Sequence, residues 1–571
     1  MDGAFDESGL LWSTAVPDWE ERIRTGRSLV PQLPLFDKVA EKALRIFKRL
    51  RVPDIIGNPT YGEVCGEWVF DFVRAVFGSY DPELKRRMIR EFFLLVPKKN
   101  GKSAIASAII IVAAIMNERP LAELLLIAPT IEIAKISFKQ AAGIIALDED
   151  LTALFHSSFH ELSIRHRVSG AVIQIKAAAP DVVTGSKATY TLIDETHVFA
   201  TMSKAQDVFV ELKGALASRP DGFVLQISTQ SKEPPAGVFK SELETARAVR
   251  DGEIRLPLLA VIYELPEAMA KNGGWKDPAT WGLVNPNLGR SVDPAFLRDE
   301  LAKAEREGPA KLAQIASQHF NVEIGLGLKA KSWTGALHWE AAGDETLASL
   351  DELIRRSEVA TVGIDGGGLD DLLGVAVLGR DRKSKDWLHW GHAWAHPDAL
   401  KARPEIAPRL MDFAAQGDLT ICDDGTQDLR EVADVCEKLV LAGLLPKEYG
   451  IGLDPWAIGP LVDEMAGRSI EGKILEAVRQ GAALSPAQWT LERKLKDKTL
   501  RHGARPLMAW VLGNAKVEQR GNAVIISKEA AGRAKIDPLV ALLNAAMLMQ
   551  RNPTATGSLG DFLSGAVMAM R

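Results

Sequence analysis

The chain has little cysteine, no long apolar run and almost no excess of charge. Only Cys65, Cys422 and Cys436 occur among 571 residues, too few and too far apart for a disulfide framework or a cysteine-built zinc site. The longest apolar stretch, residues 104–116, contains a serine and is shorter than the roughly 18 residues that span a bilayer. The acidic N-terminus lacks the cationic-then-apolar order of a signal peptide. We therefore expect a soluble protein of a reducing compartment.

Composition places the chain among multidomain globular proteins. Its 69 Lys and Arg nearly balance 75 Asp and Glu, which leaves a net charge of −6. A surface that is basic throughout is excluded, whereas a local basic channel is compatible with this balance. An apolar fraction of 47% and a charged fraction of 25% exclude disorder along the whole chain. At about 150 residues per domain, the length predicts more than one domain.

The hydrophobic pattern predicts two α/β regions joined by a helical connector. After residue 90, short apolar runs alternate with helix-length segments, which is typical of a parallel sheet covered by helices. These runs are residues 92–96, 124–128, 190–193 and 223–227. From residue 359, strand candidates follow one another closely, which indicates antiparallel pairing. They are residues 359–364, 372–378 and 386–394, followed by helix candidates at 427–442, 458–466, 487–498 and 537–550 and strand candidates at 449–453 and 523–527.

A phosphate-binding loop is predicted between the first apolar run and an apolar helix. Residues 97–103 read PKKNGKS, and the apolar stretch from residue 104 follows them. Backbone N–H groups and the positive dipole at a helix start bind anions, Lys102 suits the β- and γ-phosphates, and Ser103 suits Mg²⁺. Val96 stands where the usual G-x-x-x-x-G-K-[ST] pattern has its first glycine. An exposed loop that caps a helix is the structural alternative.

Two further strand candidates end in polar groups that an ATPase needs. Residues 190–193 run into Asp194 and Glu195. A carboxylate at a strand end holds Mg²⁺ through water, and a neighbouring carboxylate polarises the attacking water. Residues 223–227 run into the polar residues 228–230, which suit a sensor of the γ-phosphate. Solvated acids and a plain strand exit are alternatives, but the three strand ends together favour a Mg²⁺-dependent ATPase.

Three aspartates in the C-terminal half suit a different chemistry. Asp365 lies in an apolar strand, Asp454 ends another, and Asp537 opens an apolar helix. Two divalent ions about 4 Å apart, held by shared carboxylates, activate water and stabilise the leaving oxygen in phosphodiester cleavage. Oxygen ligands without Cys or His favour Mg²⁺ or Mn²⁺ over zinc. A turn at Asp454 and a helix N-cap at Asp537 are the structural alternatives, whereas a lone buried Asp365 would be costly.

Other charged residues of this half are open to two interpretations. Asp371 follows Asp365 by six positions and is a candidate fourth acid of the metal site, but a position in a solvated turn is favoured. A basic cluster lies in the same domain and suits either a solvated helix face or contact with DNA phosphates, with DNA slightly favoured. Its members are Arg493, Lys494, Lys496, Lys498 and Arg501.

Eight motifs in a fixed order resemble the large terminase subunit of tailed bacteriophages. They are PKKNGKS, LLLIAPT, TLIDETH, ISTQS, WGLVNPNLG, GIDGGG with a following aspartate, LDPWA and KIDPLVAL. No single motif is specific, but their order covers nearly the whole chain. The resemblance implies an α/β protein in which a RecA-like ASCE P-loop ATPase domain precedes a ribonuclease-H-like nuclease domain.

The resemblance also implies roles for particular residues, carried over by position. In the ATPase domain, Lys98 would contact the γ-phosphate and Glu195 would be the catalytic base, while the ATP-binding group would be Lys98, Asn100, Gly101, Lys102, Ser103 and Asp194. Hydrolysis would be coupled to DNA movement by Ser228, Thr229 and Gln230. The nuclease metals would be held by Asp365, Asp454 and Asp537. One departure is that Val69, rather than the frequent adenine-contacting glutamine, follows Trp68.

The implied function is a phage DNA-packaging motor. ATP with Mg²⁺ would drive double-stranded DNA into a procapsid, and an endonuclease with two Mg²⁺ or Mn²⁺ ions would cut concatemeric DNA. The expected parts are a lead-in at 1–44, the ATPase at 45–250, a helical connector at 251–355 and the nuclease at 356–571. The implied partners are double-stranded DNA, the small terminase subunit and the portal protein, and no membrane is involved. The protein would form a ring of identical copies during packaging. It would act in the host cytoplasm and dock transiently at the portal vertex of the procapsid.

Two other functions stay open on the sequence alone. A repair helicase fused to a nuclease would need further arginine-bearing motifs late in the first domain, where we find none. An inactive prophage remnant would bind nucleotide only, but acids are intact at every matched position.

Overall fold

The computed structural model describes residues 12–33, 35–179, 183, 185, 187–202, 204–324, 333–404, 406–454, 459–520, 523–528 and 535–557. The chain divides into two compact units, residues 1–325 and 326–571. Within the described residues, no helix combines the length and apolar character needed to cross a membrane.

Unit 1 is built around a sheet of eight strands in its described part, in the order β10-β3-β9-β8-β4-β7-β6-β5. From β10 to β7 all neighbours are parallel, and β6 and β5 extend the sheet antiparallel. The sheet strands are β3 (Glu91–Leu95), β4 (Glu123–Ala128), β5 (Phe155–Ser158), β6 (Ser163–His166), β7 (Val172–Ala177), β8 (Ala188–Asp194), β9 (Phe223–Ser228) and β10 (Leu258–Ile262). A separate short hairpin pairs β1 (Tyr80–Asp81) with β2 (Arg86–Arg87).

Helices cover both faces of this sheet, which explains why its central strands are apolar runs rather than alternating ones. Every residue of β8 and β9 is buried. The helices of unit 1 are α1 (Trp19–Thr25), α2 (Asp37–Arg49), α3 (Tyr61–Val64), α4 (Glu67–Gly78), α5 (Lys102–Met116), α6 (Ile131–Ala146), α7 (Glu149–Leu154), α8 (Ala205–Gly214), α9 (Gly237–Asp251), α10 (Glu267–Lys271), α11 (Trp281–Val284), α12 (Pro294–Glu307) and α13 (Pro309–Phe320).

The strand order determines which loops of unit 1 meet. The carboxyl ends of parallel strands lie at one edge of a sheet. Since β9 lies between β3 and β8, the predicted phosphate loop after β3, the acids after β8 and the polar residues after β9 leave the sheet side by side. The four runs predicted as parallel strands are confirmed as β3, β4, β8 and β9.

Unit 1 also contains strands that periodicity did not reveal. Strand β10 falls in the segment expected to be a helical connector, yet it pairs with β3 over residues 258–262. Its five apolar residues are too few to distinguish a strand from part of a helix by pattern. Strands β5 and β6 carry polar and charged side chains, because they pair at an edge where one face is partly exposed.

Unit 2 has its own sheet, of seven strands in its described part. The order is β14-β13-β12-β11-β15-β16, and β17 pairs with the other end of β13. As predicted, β11, β12 and β13 are antiparallel neighbours. Strand β15 joins β11 in parallel. The strands are β11 (Ser357–Gly366), β12 (Leu372–Asp381), β13 (Trp387–Ala395), β14 (Leu419–Ile421), β15 (Ile451–Leu453), β16 (Leu475–Ala477) and β17 (Leu500–His502).

The remaining elements of unit 2 are a separate hairpin and its helices. The strand predicted at 523–527 forms, but β18 (Ala515–Arg520) and β19 (Ala523–Lys528) pair only with each other in the described structure. The helices are α14 (Ala336–Trp339), α15 (Leu350–Arg356), α16 (Pro397–Ala402), α17 (Ala407–Ala415), α18 (Gln427–Leu441), α19 (Gly459–Ala466), α20 (Ser485–Lys496), α21 (Pro506–Asn514) and α22 (Asp537–Met549).

Helix α22 lies unusually close to the backbone of this sheet. A Cβ on Gly363 of β11 would lie 1.9 Å from the carbonyl oxygen of Ala541, and a Cβ on Gly374 of β12 would lie 2.8 Å from Pro538. Only glycine permits this approach. The two glycines thereby fix the start of α22, and with it Asp537, against the sheet.

We predict that Gly363→Ala destabilises unit 2. The added methyl group cannot avoid the backbone of α22, and overpacking of this kind costs about 1–3 kcal/mol. Thermal unfolding followed by calorimetry should show a lower melting temperature for one transition. Gly425→Ala is the matched control, because a Cβ there meets no atom within 4 Å. Equal melting temperatures for the two variants would contradict the close approach.

Candidate nucleotide site and carboxylate cluster

The predicted phosphate loop leaves β3 and turns sharply into α5. Gly101 takes the left-handed conformation, with a φ of 79°, just before the helix begins at Lys102. The first N–H groups of a helix have no partner within it, so this turn presents them, with the dipole of α5, to an anion. Lys102 lies at the same point and is 7% exposed. The geometry is that of a phosphate cradle, although the first glycine of the usual pattern is missing.

Asp194 ends β8 and lies buried beside the start of α5. The Ser137 hydroxyl donates to its Oδ2 at 3.1 Å, and Ser103 also hydrogen-bonds the same carboxylate. Burial, together with the charge of Glu195, raises the pKa of Asp194 to about 6. A carboxylate beside the first hydroxyl of the loop helix is the donor set that holds the Mg²⁺ of a nucleotide.

Glu195 follows in the left-handed conformation, with a φ of 54°. This turn brings its Oε1 to 3.3 Å from Nζ of Lys102 and its Oε2 to 3.2 Å from Nδ1 of His197. Burial raises the pKa of Glu195, but the close contact with His197 and the charge of Lys102 outweigh it and hold the pKa at about 2. The adjacent acids therefore have pKa values moved apart, as in sites that assign two carboxyl groups different roles.

Lys98 is half-buried on the same loop. Its backbone N–H donates to the carbonyl of Gln318 at 2.8 Å. Burial and the neighbouring charge of Lys232 lower the pKa of its ammonium group. Several cations thus share one small region, which suits a polyanion such as a triphosphate.

Asn100 anchors the loop from inside. It is fully buried, and its Nδ2 donates to Asn285 Oδ1 at 2.8 Å. Asn287 donates its backbone N–H to Asn100 Oδ1 at 3.1 Å and its Nδ2 to the carbonyl of Asn100 at 2.9 Å. The loop is therefore held by side chains far along the chain. Sequence reasoning missed this role, for which the asparagines of WGLVNPNLG were the available signal.

The polar residues after β9 are hydrogen-bonded to the same part of the chain, residues 285–321, that holds Asn100. Ser228, Thr229 and Gln230 are all buried. The carbonyl of Ser228 accepts from the N–H of Val96, so the end of β9 touches the entry to the phosphate loop. Two amide side chains hold the backbone of Gln230. Gln318 Nε2 donates to its carbonyl at 2.8 Å, and its N–H donates to Asn321 Oδ1 at 3.1 Å.

In unit 2, the sheet register brings the three predicted aspartates to one edge. Ile364 of β11 pairs with Leu453 of β15, so Asp365 and Asp454 are the next residues along two adjacent parallel strands. A Cβ built on Gly366 would lie 3.4 Å from the Cβ of Asp537, the first residue of α22. Asp537 is buried, and the other two are half-buried. The fold thus gathers carboxylates separated by 89 and 83 positions in the sequence.

The carboxylate side chains at this edge are not close enough together in this structure to bind a metal ion. Within the described residues, no three His, Cys, Asp or Glu side chains are close enough together to hold an ion. The donors are carboxylate oxygens, which suit Mg²⁺ or Mn²⁺. Asp371 differs from the expected solvated turn, because it pairs with the buried ammonium of Lys535.

The five basic residues proposed for DNA contact have different surroundings. Arg493, Lys496 and Lys498 are exposed at the end of α20 and just beyond it. The ammonium of Lys494 instead lies 4.6 Å from the ring centre of Trp387, and Arg501 is half-buried in β17. Three of the five therefore present charge to solvent.

Family models match both halves of the chain. A model described as the ATPase domain of the terminase large subunit matches residues 67–246. A model described as the endonuclease domain of the same subunit matches residues 262–552, just over half of the chain. The prediction of an α/β ATPase domain followed by a nuclease domain is confirmed.

Relatives of known name are similar over much of their length. The terminase large subunit of Enterobacteria phage HK97 is 21% identical over 86% of this chain and 91% of the phage protein. Protein YmfN of Escherichia coli K12 is 20% identical over 66% of this chain and 82% of that protein. The crystal structure of the HK97 bacteriophage large terminase is 19% identical, covers 89% of this chain and 99% of its own, and gives a TM-score of 0.44.

We predict that Asn100→Ala impairs ATP hydrolysis by loosening the phosphate loop. The change leaves buried groups of Asn285 and Asn287 unpaired, at about 1–3 kcal/mol each. We expect kcat/KM for ATP to fall at least about tenfold, measured by phosphate release. The exposed Asn272→Ala is the control. A wild-type kcat/KM for Asn100→Ala would show that the loop does not depend on this contact.

Proposed function

The chain belongs to the terminase large-subunit family, and we propose how its residues carry out the two activities of that family. It is an ATPase and a nuclease, and it acts as a phage DNA-packaging motor with an endonuclease. The family match favours this function over a repair helicase–nuclease and over a nucleotide-binding remnant.

We propose that residues 45–250 hydrolyse ATP. The N–H groups at the start of α5 and the Lys102 ammonium bind the β- and γ-phosphates, and Lys98 contacts the γ-phosphate. Ser103 and Asp194 would hold Mg²⁺, which neutralises phosphate charge when it is bound. Glu195 is ionised at neutral pH, since its pKa is held at about 2, and it orients and polarises the attacking water.

Coupling to DNA movement is assigned to Ser228, Thr229 and Gln230. The support for this role is that Ser228 contacts the entry to the phosphate loop, while Gln230 is held by residues of the segment that also clamps Asn100. A change at the phosphates therefore has a short path to the end of β9.

In the second half, we propose that residues 356–571 cut DNA, whereas most of the expected connector, through residue 325, belongs to unit 1. Asp365, Asp454 and Asp537 would hold two Mg²⁺ or Mn²⁺ ions, which supply an activated water and stabilise the leaving oxygen. Arg493, Lys496 and Lys498 would contact the phosphates of double-stranded DNA, with Lys494 and Arg501 nearby. The observation that supports the proposal is that the proposed residues lie together at the carboxyl ends of parallel strands in unit 1 and beside the ends of β11 and β15 in unit 2.

Family membership supports a proposal for the partners and the place of action. We propose that the protein works in the host cytoplasm, meets the small terminase subunit and docks transiently at the portal protein of the procapsid. During packaging it would form a ring of identical copies. The proposed partners, location and ring do not affect the proposed roles of residues in ATP hydrolysis or DNA cleavage.

We predict that the two activities can be removed one at a time. Lys102→Ala should lower ATP hydrolysis about hundredfold or more, because it removes a charge that stabilises the transition state, and should spare Mn²⁺-dependent plasmid cleavage. Asp454→Asn should abolish Mn²⁺-dependent plasmid cleavage and spare ATP hydrolysis. Phosphate release and gel analysis of plasmid DNA measure the two activities.

Exposed residues of the same types supply the controls, namely Lys139→Ala and Asp423→Asn. Wild-type hydrolysis by Lys102→Ala would remove the phosphate-loop assignment. Unchanged cleavage by Asp454→Asn would remove the aspartate assignment.

A further inference from the structure

His197 lies between two groups to which the proposed mechanism gives different tasks. It is 9% exposed, directly after the turn that carries Glu195. Its Nδ1 lies 3.2 Å from Glu195 Oε2 and 3.3 Å from Ser228 Oγ. Its backbone N–H donates to the same Ser228 hydroxyl at 3.0 Å. One residue thus touches both the proposed catalytic carboxylate and the end of β9.

The hydrogen bonds around His197 determine which ring nitrogen carries a proton. Ser228 Oγ donates its own proton to the carbonyl of Thr229 at 2.9 Å. The ionised Glu195 carboxylate can only accept. Nδ1 therefore faces acceptors and must be the protonated nitrogen, which hydrogen-bonds Ser228 Oγ and lies in electrostatic contact with Glu195 Oε2.

Glu195 needs a second partner because its first is shared with the substrate. Nζ of Lys102 lies 3.3 Å from Glu195 Oε1, yet the same ammonium is the group that binds the triphosphate. A carboxylate held only by Lys102 would lose its restraint when phosphate competes for that charge. His197 holds the other carboxylate oxygen and is not a phosphate ligand.

From this arrangement we infer that His197 is the positioning residue for Glu195 and links it to Ser228 of the coupling segment. Held by Ser228, its Nδ1–H lies 3.2 Å from Glu195 Oε2 and attracts the carboxylate after Lys102 turns to the phosphates. Its contacts with Ser228 make the placement of Glu195 depend on the position of the β9 end. The inference rests on the proposed function, in which Glu195 activates water and residues 228–230 couple hydrolysis to DNA.

Three substitutions separate the hydrogen bond from the packing of the ring. His197→Asn keeps a donor near the place of Nδ1. His197→Phe keeps an aromatic ring against Phe239, whose centroid lies 6.2 Å away, but removes the donor. His197→Ala removes both. Equal melting temperatures for the Asn and Phe variants would show that a difference in their rates does not come from a difference in stability.

The readouts are the kcat of ATP hydrolysis and the Kd for a fluorescent ATP analogue. We expect kcat to fall about tenfold or more in His197→Phe and His197→Ala, with the Kd unchanged, because a misplaced group slows chemistry without weakening binding. We expect His197→Asn to recover most of the rate. A wild-type kcat in His197→Phe, or an equal loss in His197→Asn, would overturn the inference.

The link to the coupling segment has its own test. Ser228→Ala should lower kcat because it releases His197, and it should have little further effect in the His197→Phe background. Independent, multiplicative effects would overturn the link. Glu195→Gln belongs in the same set: if it hydrolyses ATP at the wild-type rate, the proposed role of Glu195 fails, whereas its loss of activity beside a normal His197→Phe contradicts only the present inference.

Discussion

The packing of buried Lys102 and Asp194 with the partly buried Glu195 at one sheet edge is the constraint on which the rest of unit 1 depends. Charged groups at this depth are stable only when they compensate one another or are hydrogen-bonded. Lys102 lies against Glu195 and Asp194 accepts from Ser137, so the loop after β3 and the end of β8 must leave the sheet at the same edge. The strand order, with β9 between β3 and β8, follows the same requirement.

The phosphate loop lacks the glycine that usually begins it, and buried hydrogen bonds hold its backbone instead. Asn100 lies within the loop and is hydrogen-bonded to Asn285 and Asn287. A second set of amides, Gln318 and Asn321, holds the end of β9. The asparagine set has no buried side-chain N or O atom without a partner, and a satisfied buried polar network fixes one arrangement. The segment after β10 therefore belongs physically to the nucleotide site.

Much of this architecture is predictable from local pattern, because apolar runs and the residues that follow them define strand ends. The phosphate loop, the acid pair and the three aspartates were found in this way. Strand β10, the asparagine clamp and the contacts of His197 were not, since each depends on pairing between residues far apart in sequence. Asp371 likewise looked like a solvated turn until the fold placed Lys535 beside it.

The central claim is that two separate sheet edges bind a triphosphate and a pair of divalent ions. The most direct measurement is an anomalous difference map from crystals grown with Mn²⁺ and a non-hydrolysable ATP analogue. The account predicts a peak beside Ser103 and Asp194 with phosphates on the start of α5, and further peaks enclosed by Asp365, Asp454 and Asp537. Nucleotide bound away from that helix start, or Mn²⁺ absent from the three aspartates, would contradict it.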